Sequence, residues 1–554
     1  MRKLALVLGL AAALPMWAAQ PVHARHAMVV TVEPHATDAG VAVLQAGGNA
    51  VDAAIAVGFA LAVTHPSAGN IGGGGFLLVR FADGRSTFID FRERAPQAAS
   101  PNMYLDASGK PTKDSEVGYR AAGVPGTVRG FEYASKKYGR KPWADLVAPA
   151  LALAEKGFPV SYGLARSLHG GDGLLGRFPE SKRIFLRDGH PYEAGEPLVQ
   201  PELAHTLRRI REQGARDFYE GETARLLAAD MERHGGLITA ADLKDYTVTE
   251  RQPLAGSYRG YDILTAPPPS SGGVGILQML GVLEGSGYDK SGAGSAVELH
   301  FLAEAMRRFF ADRAASLGDA DFVKVPISGL LDKAYIARLR QSIDPEHATP
   351  SSEIHAGSLS AGESSQTTHY SIVDAEGNAA AVTYTLNGGY GDGVTVPGLG
   401  FLLNNEMDDF AAKPGEPNAY GLVQGLANGI QPGKRPLSSM TPTIVTHDGK
   451  LLLVLGTPGG PTIINSVLEV LLNVVDFGMN MQDSVNFPRI HHQWLPDQLV
   501  IERGVSPDTI ALLKARGHQI KIVNSIGEVA AIEARDGWLE GAADPRTEGT
   551  AKGY

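Results

Sequence analysis

Glu363-Ser-Ser-Gln-Thr-Thr-His-Tyr-Ser371 is the stretch of this sequence that decides the fold. A polar segment precedes it, a β-type run covers 367–373, and a turn over 374–378 leads to a second β-type run at 379–386. The pattern predicts a β-hairpin that begins with Thr367 if the chain is cut after Gln366. A threonine at a new chain start carries its own base, because a free α-amino group has an ordinary pKa of about 7.7–8.0.

The hairpin also predicts the surroundings of Thr367. With a symmetric loop centred on Glu376, the numbers of paired residues sum to about 752, which puts Thr385 opposite Thr367. Loop type leaves this register open by one residue. Side chains alternate along strands, so two polar sets each share a face: Thr367, His369 and Ser371; Thr383, Thr385 and Asn387. Threonine is common in strands, so the hairpin alone does not establish a nucleophile.

Composition excludes several classes of function. The chain has 554 residues, a formal net charge of −10 and no cysteine. The negative charge, without a long basic run, argues against a nucleic-acid partner. The absence of cysteine excludes disulfides, thiolate catalysis and cysteine-based metal sites. The glycines of Asn70-Ile-Gly-Gly-Gly-Gly75 precede a strand rather than follow one, so we expect a tight packed turn and no dinucleotide cofactor.

The first residues have the features of a signal peptide. Arg2 and Lys3 are basic, and an apolar run over 4–14 follows. That run is shorter than the roughly 20 residues that span a bilayer. We predict a signal peptide over 1–24, cut after Ala24, and an exported protein that is periplasmic if the source is Gram-negative. A retained membrane anchor is the alternative, and no later stretch is long and apolar enough to span.

Hydrophobic periodicity predicts helices first and strands later. Predicted helices cover 40–64, 127–138, 143–156, 202–213, 273–284, 296–315, 462–475 and 507–515. Predicted strands cover 27–32, 76–81, 367–373, 379–386, 441–445, 451–455, 499–502, 520–523 and 529–534. The charged residues of the helical middle are expected to face solvent. This order fits two domains or one layered α/β unit equally well.

Further motifs identify a family. They are His65-Pro-Ser-Ala-Gly-Asn-Ile-Gly-Gly-Gly-Gly75, Asp90-Phe-Arg-Glu93, Gly123-Val-Pro-Gly-Thr127, Thr383-Tyr-Thr-Leu-Asn387, Leu403-Asn-Asn-Glu-Met-Asp-Asp409, Arg435-Pro-Leu-Ser-Ser-Met440 and Thr457-Pro-Gly-Gly460. In this order, together with the 363–371 stretch, they closely resemble the γ-glutamyltransferase (γ-glutamyl transpeptidase) family, bacterial exported type. The resemblance covers nearly all of the chain after the signal peptide.

The resemblance implies an α+β protein with the N-terminal-nucleophile hydrolase fold, a four-layer αββα sandwich. It implies a precursor that cuts itself between Gln366 and Thr367. The large subunit would be residues 25–366 and the small subunit residues 367–554. Both would stay associated as a heterodimer that forms one compact unit with a shared core.

The resemblance also implies the site residues. Thr367 corresponds to the nucleophile and Thr385 to a threonine that supports it, while Gly459 and Gly460 correspond to the oxyanion hole. The substrate α-carboxylate would be bound by Arg92, Ser438 and Ser439. The substrate α-ammonium would be bound by Asn387, Glu406 and Asp409. Some members carry glutamine at the position of Glu406, so the pH dependence and amine affinity here are expected to differ. Residues 431–436 would form a lid.

The implied activity is cleavage of the γ-glutamyl amide bond of glutathione and related γ-glutamyl compounds. The group would pass to water or to an acceptor amino acid or peptide, with no metal or cofactor. One alternative is a glutaryl or cephalosporin acylase of the same fold, against which Asn387, Glu406 and Asp409 together argue. The other is a non-catalytic member, against which Thr367 and both oxyanion glycines argue.

Three other candidates have simpler interpretations. His491-His492 looks like a metal pair, but adjacent strand residues point to opposite faces, so we predict structural packing. His369 shares a face with Thr367 and could act as a base, although a free amine is the simpler one. Ser67, in His65-Pro-Ser-Ala-Gly69, is a near match to the Gly-x-Ser-x-Gly elbow of serine hydrolases.

Overall fold

The computed structural model describes residues 19–354, 367–416, 418–419 and 421–554. Most of the predicted signal peptide, which precedes residue 19, lies outside these residues, as does Gln366 at the predicted cut. Within the described ranges, no helix is both long enough and apolar enough to cross a membrane.

Strands and helices are numbered here in chain order. The strands are β1 Val22–Ala24, β2 Met28–Thr31, β3 Gly74–Arg80, β4 Ser86–Asp90, β5 Phe158–Pro159, β6 Leu186–Arg187, β7 His190–Pro191, β8 Pro197–Leu198, β9 Thr249–Arg251, β10 Leu254–Tyr258, β11 Tyr261–Thr265, β12 Thr368–Val373, β13 Ala379–Thr385, β14 Thr443–His447, β15 Lys450–Gly456, β16 Ile490–His491, β17 Leu499–Glu502, β18 Ile520–Val523, β19 Ala530–Arg535, β20 Trp538–Ala543 and β21 Thr550–Gly553. The helices are α1 Pro34–Gln45, α2 Ala50–Thr64, α3 Thr127–Tyr138, α4 Trp143–Lys156, α5 Tyr162–Leu175, α6 Pro179–Phe185, α7 Pro201–Gln213, α8 Ala215–Glu220, α9 Glu222–His234, α10 Ala240–Lys244, α11 Gly272–Leu283, α12 Ala296–Ser316, α13 Ile327–Leu330, α14 Lys333–Gln341, α15 Thr462–Val475, α16 Met481–Asn486 and α17 Pro507–Ala515.

Two seven-stranded sheets form the centre of the molecule. The first sheet has the order β21-β2-β12-β13-β3-β4-β9, and the second has the order β1-β20-β19-β15-β14-β11-β10. Each sheet combines strands that precede residue 366 with strands that follow it. The helix-rich and strand-rich parts of the chain therefore form one layered unit rather than two domains.

Alternation along β3 shows how the layers pack. Leu77 and Val79 join the apolar cluster that contains α2 residues such as Ile55. Phe76 and Leu78 join a second cluster, which contains residues of the second sheet and of α11 and α15. The first sheet is thus covered by helices on one face and by the second sheet on the other. The predicted four-layer αββα arrangement is confirmed.

The predicted single helix over 40–64 is wrong, because two helices occupy this region. The helices α1 and α2 are separated at Gly47-Gly48, where Gly47 has a φ of 85°. Asn49 then caps α2: its side chain accepts the Asp52 N–H, and the Asp52 carboxylate accepts the Asn49 N–H. A left-handed glycine followed by a capping box ends one helix and begins the next.

The glycines before β3 form the predicted tight turn. A Cβ on Gly73 would lie 2.0 Å from the Thr385 carbonyl oxygen, and one on Gly72 would lie 2.2 Å from that of Leu402. No larger residue fits so close to another backbone. These glycines therefore hold β3 against the end of β13, where Thr385 lies.

The hairpin has the predicted register. Thr368 pairs with Tyr384 and Val373 pairs with Ala379. One step further along the same register puts Thr367 opposite Thr385. β12 lies between β2 and β13 in the sheet, and β2 pairs with its second half, Ser371–Val373.

Residues 22–24 form an edge strand. β1 pairs with β20, with Val22 opposite Gly541 and Ala24 opposite Leu539. A cut after Ala24 would remove this strand from the second sheet. The position of the signal-peptide cut remains a prediction.

The expectation that charged residues of the helical middle face solvent is wrong for α12. All six of its charged side chains are buried: Glu298, Glu304, Arg307, Arg308, Asp312 and Arg313. Glu304 pairs with Arg308 and lies 3.6 Å from the Nε of Arg307. Sequence periodicity does not separate a solvated charge from one whose partner comes from elsewhere in the fold.

Candidate active site

Two threonine hydroxyls meet where the hairpin begins. Thr367 Oγ1 lies 3.3 Å from Thr385 Oγ1, and both side chains are buried. Thr385 Oγ1 also accepts the N–H of Asn387 at 2.8 Å. The predicted pairing of Thr367 with Thr385 is confirmed, and the second hydroxyl fixes the position of the first.

A cavity opens at Thr367, and its empty space, including the part open to solvent, is about 290 Å³. The described residues that line it are Arg92, Thr367, Thr385, Asn387, Glu406, Asp409, Leu422, Ser438, Ser439, Met440, Gly460, Pro461 and Ile463. Every predicted site residue is among them except Gly459, which directly precedes Gly460, and Gln366, which lies outside the described residues. Seven separate stretches of the sequence thus meet at one place.

Gly459 and Gly460 lie at the N-terminus of α15. Their φ angles are 136° and 55°, both in the region that favours glycine. The Gly459 carbonyl accepts the N–H of Thr462 at 3.1 Å and its hydroxyl at 2.8 Å. Within the described residues, neither glycine N–H donates to a protein acceptor. Free amides at a helix N-terminus favour a negative charge.

Arg92 crosses the cavity wall beyond the end of β4. Its guanidinium uses separate nitrogens to bond Glu406 Oε1 and Asp409 Oδ2. Its Nε donates to the Pro436 carbonyl at 3.2 Å, and its Nη1 lies 3.7 Å from Glu93 Oε2. Three carboxylates therefore surround one guanidinium.

This cluster contains three carboxyl groups and one guanidinium. Burial alone would lower the pKa of Arg92, but Glu406, Asp409 and Glu93 raise it above its ordinary value. Burial raises the pKa of Glu93 and of Glu406, and Arg92 opposes both shifts. Within the described residues, neither oxygen of Glu93 accepts a hydrogen bond, nor does Glu406 Oε2. An entering ammonium group would supply the missing donors and charge.

Asn387 follows β13 in a left-handed conformation, with a φ of 72°. Its Nδ2 donates to the Asn405 carbonyl at 2.9 Å, beside the short 3₁₀ helix Glu406–Asp409. Asparagine tolerates this backbone region better than most residues. The strand end and the acidic helix are thereby locked together.

Ser438 and Ser439 form the opposite wall. The Ser438 N–H donates to the Pro269 carbonyl at 2.8 Å, and Ser438 Oγ accepts the Met440 N–H at 3.0 Å. The N–H and the hydroxyl of Ser271 both donate to the Ser438 carbonyl at 2.8 Å. The serine pair is thus held by the residues that precede α11.

A family sequence model described as Gamma-glutamyltranspeptidase matches residues 36–554. This chain belongs to that family. It is similar to the glutathione hydrolase proenzyme of Escherichia coli (strain K12), with 51% identity over 530 residues, which cover 95% of this chain and 91% of the relative.

Solved structures agree with the assignment to the gamma-glutamyltranspeptidase family. Cephalosporin acylase from Bacillus halodurans matches with a TM-score of 0.86 and 28% identity over 99% of both chains. Gamma-glutamyltranspeptidase from Helicobacter pylori matches with a TM-score of 0.59 and 45% identity, over 62% of this chain and 97% of that one. The chain therefore has the N-terminal-nucleophile hydrolase fold.

His369 shares the face of Thr367, as predicted, but its ring has other partners. Nδ1 lies 2.8 Å from Thr383 Oγ1 and Nε2 lies 3.1 Å from Ser371 Oγ, which donates to the Ala530 carbonyl of the second sheet. Burial lowers the pKa of His369 to about 3. This neutral histidine links the two sheets, and both ring nitrogens are engaged, so it is not placed to act as a base for Thr367.

The other sequence candidates lie away from the cavity. His491 Nδ1 bonds Asn465 Oδ1 at 2.6 Å, whereas His492 Nε2 bonds Asp497 Oδ1 at 3.3 Å, so the two rings have different partners. Ser67 Oγ lies 3.5 Å from a nitrogen of His65 and is not among the cavity residues. Neither pair belongs to the site around Thr367.

One cluster has the composition of a metal site. His300, Glu304 and His518 are buried and close together. However, His300 Nε2 bonds the Asp344 carbonyl at 2.8 Å, which leaves Nδ1 to accept from His518 Nε2 at 2.9 Å. Glu304 is already neutralised by its arginine partners, so we assign no metal to this cluster.

Sequence reasoning missed several residues around the cavity. Glu93 is adjacent to Arg92 in the Asp90–Glu93 motif, and this adjacency could have pointed to it. Leu422 and Ile463 are apolar lining residues without a sequence signal, whereas Met440 ends the Arg435–Met440 motif but was given no role. No residue of the expected lid, 431–436, is among the lining residues. Lys434 and Arg435 of that segment are buried instead.

Proposed function

We propose that this chain is a self-cleaving γ-glutamyltransferase that cleaves the γ-glutamyl amide bond of glutathione and related compounds. The intermediate is a γ-glutamyl ester of Thr367, which water or an acceptor amino acid or peptide then resolves. The observation that carries the proposal is the cavity itself. It brings a buried threonine hydroxyl, an acidic cluster and a pair of serines together around one pocket.

Activation requires a cut between Gln366 and Thr367, because an amide nitrogen has no basicity and a free amine does. The products are a large subunit of residues 25–366 and a small subunit of residues 367–554, which stay associated. Two observations support this step. The Escherichia coli relative is named a proenzyme. The Helicobacter pylori chain also matches a share of this chain close to that of residues 25–366.

Recognition follows from the charges of the cavity. The α-ammonium of the donor binds among Asn387, Glu406 and Asp409, where carboxylates outnumber the guanidinium. The α-carboxylate binds to Ser438 and Ser439 and to Arg92, which joins the two halves of the pocket. The α-carbon of a γ-glutamyl group carries both an ammonium and a carboxylate. Binding of these two charges at separate places orients the γ-carbonyl relative to Thr367.

The chemistry has two steps. The Thr367 hydroxyl attacks the γ-carbonyl as the free α-amino group takes its proton. The oxyanion is stabilised by the amides of Gly459 and Gly460, and one such donor typically contributes about 10²–10³ in rate. The α-amino group then gives its proton to the leaving amine. Water or an acceptor amine attacks the ester and releases Thr367 for the next cycle.

A same-fold acylase is the second candidate. The similarity to cephalosporin acylase from Bacillus halodurans favours it. A glutaryl group has no α-ammonium, so it would leave the acidic cluster around Arg92 without an added cation. That unpaired negative charge would weaken binding of the glutaryl donor. The acidic cluster therefore favours γ-glutamyl donors.

Export is part of the proposal. The basic and apolar residues at the start of the sequence support a cleaved signal peptide and a periplasmic or secreted enzyme. Such an enzyme would act on γ-glutamyl compounds outside the cytoplasm.

Two measurements test the proposal. Intact mass and N-terminal sequencing of the purified exported protein should show two chains, the smaller beginning Thr367-Thr-His-Tyr. The protein should then hydrolyse γ-glutamyl-p-nitroanilide and ignore glutaryl-p-nitroanilide. The reverse preference would establish the acylase, and a cut protein that cleaves neither donor would contradict both candidates.

A further inference from the structure

One buried arginine beside the cavity has no carboxylate partner in the part of the chain that the structure describes. Arg313 lies in the last turn of α12 and is 2% exposed. The other buried arginines of this helix, Arg307 and Arg308, are both paired with Glu304. Among the residues that the structure describes, Arg313 makes its polar contacts with hydroxyls alone. Because an unpaired buried charge is costly, this arrangement indicates a function.

The donors of Arg313 converge on two serines. Its Nε donates to Ser271 Oγ at 2.9 Å, and its Nη2 donates to Ser439 Oγ at 3.3 Å. Its Nη1 is buried and donates to no acceptor in the described part of the chain. A guanidinium has five N–H donors, so capacity for a further acceptor remains.

One of these serines lines the cavity and the other lies behind the lining residues. Ser439 lines the cavity, and Ser271 donates its N–H and its hydroxyl to the Ser438 carbonyl. Because Ser439 Oγ accepts from Arg313, the hydrogen of its hydroxyl remains for another acceptor. Arg313 thereby orients the Ser439 hydroxyl directly and holds the Ser438 backbone through Ser271.

The two arginines near the cavity differ in charge balance. Arg92 forms ion pairs with both Glu406 and Asp409, so its positive charge is already balanced. Burial lowers the pKa of Arg313 to about 10, Asp409 opposes the shift and Arg92 adds to it, so Arg313 is still a cation at neutral pH. Among the described residues, no carboxylate forms an ion pair with the Arg313 guanidinium behind the serine wall.

We propose that Arg313 is a positioning residue that makes the site specific for donors with an α-carboxylate. The guanidinium of Arg313 is separated from the cavity by the Ser439 hydroxyl to which it donates. The substrate α-carboxylate supplies the negative charge that balances it. Arg313 acts through Ser439 and Ser438 rather than by touching the reacting atoms. The inference rests on the proposed function, whose α-carboxylate subsite it completes.

The test compares two donors that differ by one group. γ-Glutamyl-p-nitroanilide has the α-carboxylate, and 4-aminobutyryl-p-nitroanilide lacks it but keeps the ammonium. In Arg313→Met, kcat/KM for the γ-glutamyl donor should fall about 10- to 100-fold, mainly through KM, since charge-assisted contacts are lost. The value for the 4-aminobutyryl donor should change less than about threefold. Equal falls for both donors would overturn the inference.

Two further variants separate specificity from folding. Arg308→Met also removes a buried arginine of α12, so it should lower Tm while the ratio between the two donors stays at the wild-type value. Arg313→Lys keeps the charge but cannot bond Ser271 and Ser439 with the same fork. Arg313→Lys should raise KM for the γ-glutamyl donor alone, and by less than Arg313→Met does. If Arg313→Met is not cut into two subunits, Arg313→Lys alone tests the role of Arg313. An unchanged KM in Arg313→Lys would then count against the inference.

The outcome also separates this inference from the proposed function. A wild-type protein that does not cleave γ-glutamyl-p-nitroanilide contradicts the proposed function itself. A wild-type protein that cleaves it, with an Arg313 variant that keeps the wild-type donor ratio, contradicts the role of Arg313 alone.

Discussion

Thr367 Oγ1 and Thr385 Oγ1 lie 3.3 Å apart on neighbouring strands of the first sheet. Thr385 also accepts the N–H of Asn387, whose side chain is bonded to Asn405 beside the acidic helix. The proposed nucleophile, Thr367, is therefore connected by two hydrogen bonds to Asn387, one of the residues proposed to bind the substrate ammonium. A shift of the hairpin would disturb catalysis and recognition together.

Thr367→Ala should leave one uncut chain without γ-glutamyltransferase activity, because the same hydroxyl serves processing and turnover. Denaturing electrophoresis and the p-nitroanilide assay check both results. The matched control is Thr368→Val. Thr368 is buried, and within the described residues its hydroxyl has no hydrogen-bond partner, so this variant should be cut and active. Two subunits in Thr367→Ala would rule out self-cleavage by this hydroxyl.

Arg92→Lys should raise KM for γ-glutamyl donors about 10- to 100-fold, since an ammonium cannot reproduce the two-nitrogen fork and a charge-assisted hydrogen bond contributes about 1.5–3 kcal/mol. Steady-state kinetics on γ-glutamyl-p-nitroanilide measure this. Arg94→Lys, two residues away and not a lining residue, serves as the control and should keep the wild-type KM. If the KM of Arg92→Lys matched that of the control, Arg92 would have no place in the pocket.

Gly459→Ala should lower kcat by about 10²–10³ with little change in KM, because the oxyanion donors would move. The Gly459 φ of 136° is unsuited to alanine, and the added Cβ would lie 2.4 Å from Thr462 Oγ1. Gly84→Ala is the control for backbone strain alone. Gly84 also has a positive φ, but it lies in an open turn with nothing within 4 Å of its Cβ. Equal kcat losses in both variants would argue against an oxyanion role.

Glu406→Gln should change the pH dependence of kcat/KM. Burial raises the pKa of Glu406, so this carboxyl holds its proton at low pH and becomes anionic as pH rises. An anion binds the substrate ammonium better, so the wild-type value should rise with pH through this ionisation. Glutamine does not ionise, so kcat/KM of Glu406→Gln lacks this rise. The ratio of the variant's kcat/KM to that of the wild type should therefore be lower at pH 8 than at pH 5. A pH-independent ratio between them would show that Glu406 does not titrate in the free enzyme.

Glu298→Gln tests a pH effect on stability outside the site. Burial raises the pKa of Glu298 from 4.5 to about 8, and the Gly294 N–H opposes the shift. The folded state keeps this proton while the unfolded state loses it above pH 4.5, so stability falls as pH rises from 4.5 to 8.

Glutamine has no proton to lose at this position. The stabilising effect of Glu298→Gln should therefore grow between pH 5 and pH 8, by on the order of 2–4 kcal/mol. Tm at a fixed scan rate measures it. Glu222→Gln, at an exposed position with a lowered pKa, should not show this growth. A constant Tm difference for Glu298→Gln would contradict the raised pKa.

Local sequence pattern was enough to predict the hairpin, its register to within one residue, and many helices. The bounds of α3, α4, α15 and α17 agree with the structure, because their periodicity, caps and flanking glycines act within a few residues. The pairing of Thr367 with Thr385 followed from loop symmetry alone. Family motifs then supplied the cavity residues, including Arg92 and Gly460.

What the sequence did not predict depends on distant contacts. Arg313 looks like any charge on a helix until the fold brings Ser439 to it across 126 positions of sequence. The break at Gly47-Gly48 was missed because apolar residues on both sides continue the helical period. Burial of Glu304 with its arginines is likewise a property of packing rather than of local pattern.

The mixed strand order of the two sheets affects how long the mature protein lasts. After the proposed cut, β12 still lies between β2 of the large subunit and β13 of its own subunit. The subunits can separate only if several ladders open together, and re-forming them would require two unfolded chains to find each other. The durability of the cut enzyme is then set by the rate of its first opening, so it is measured as a half-life rather than as an equilibrium free energy.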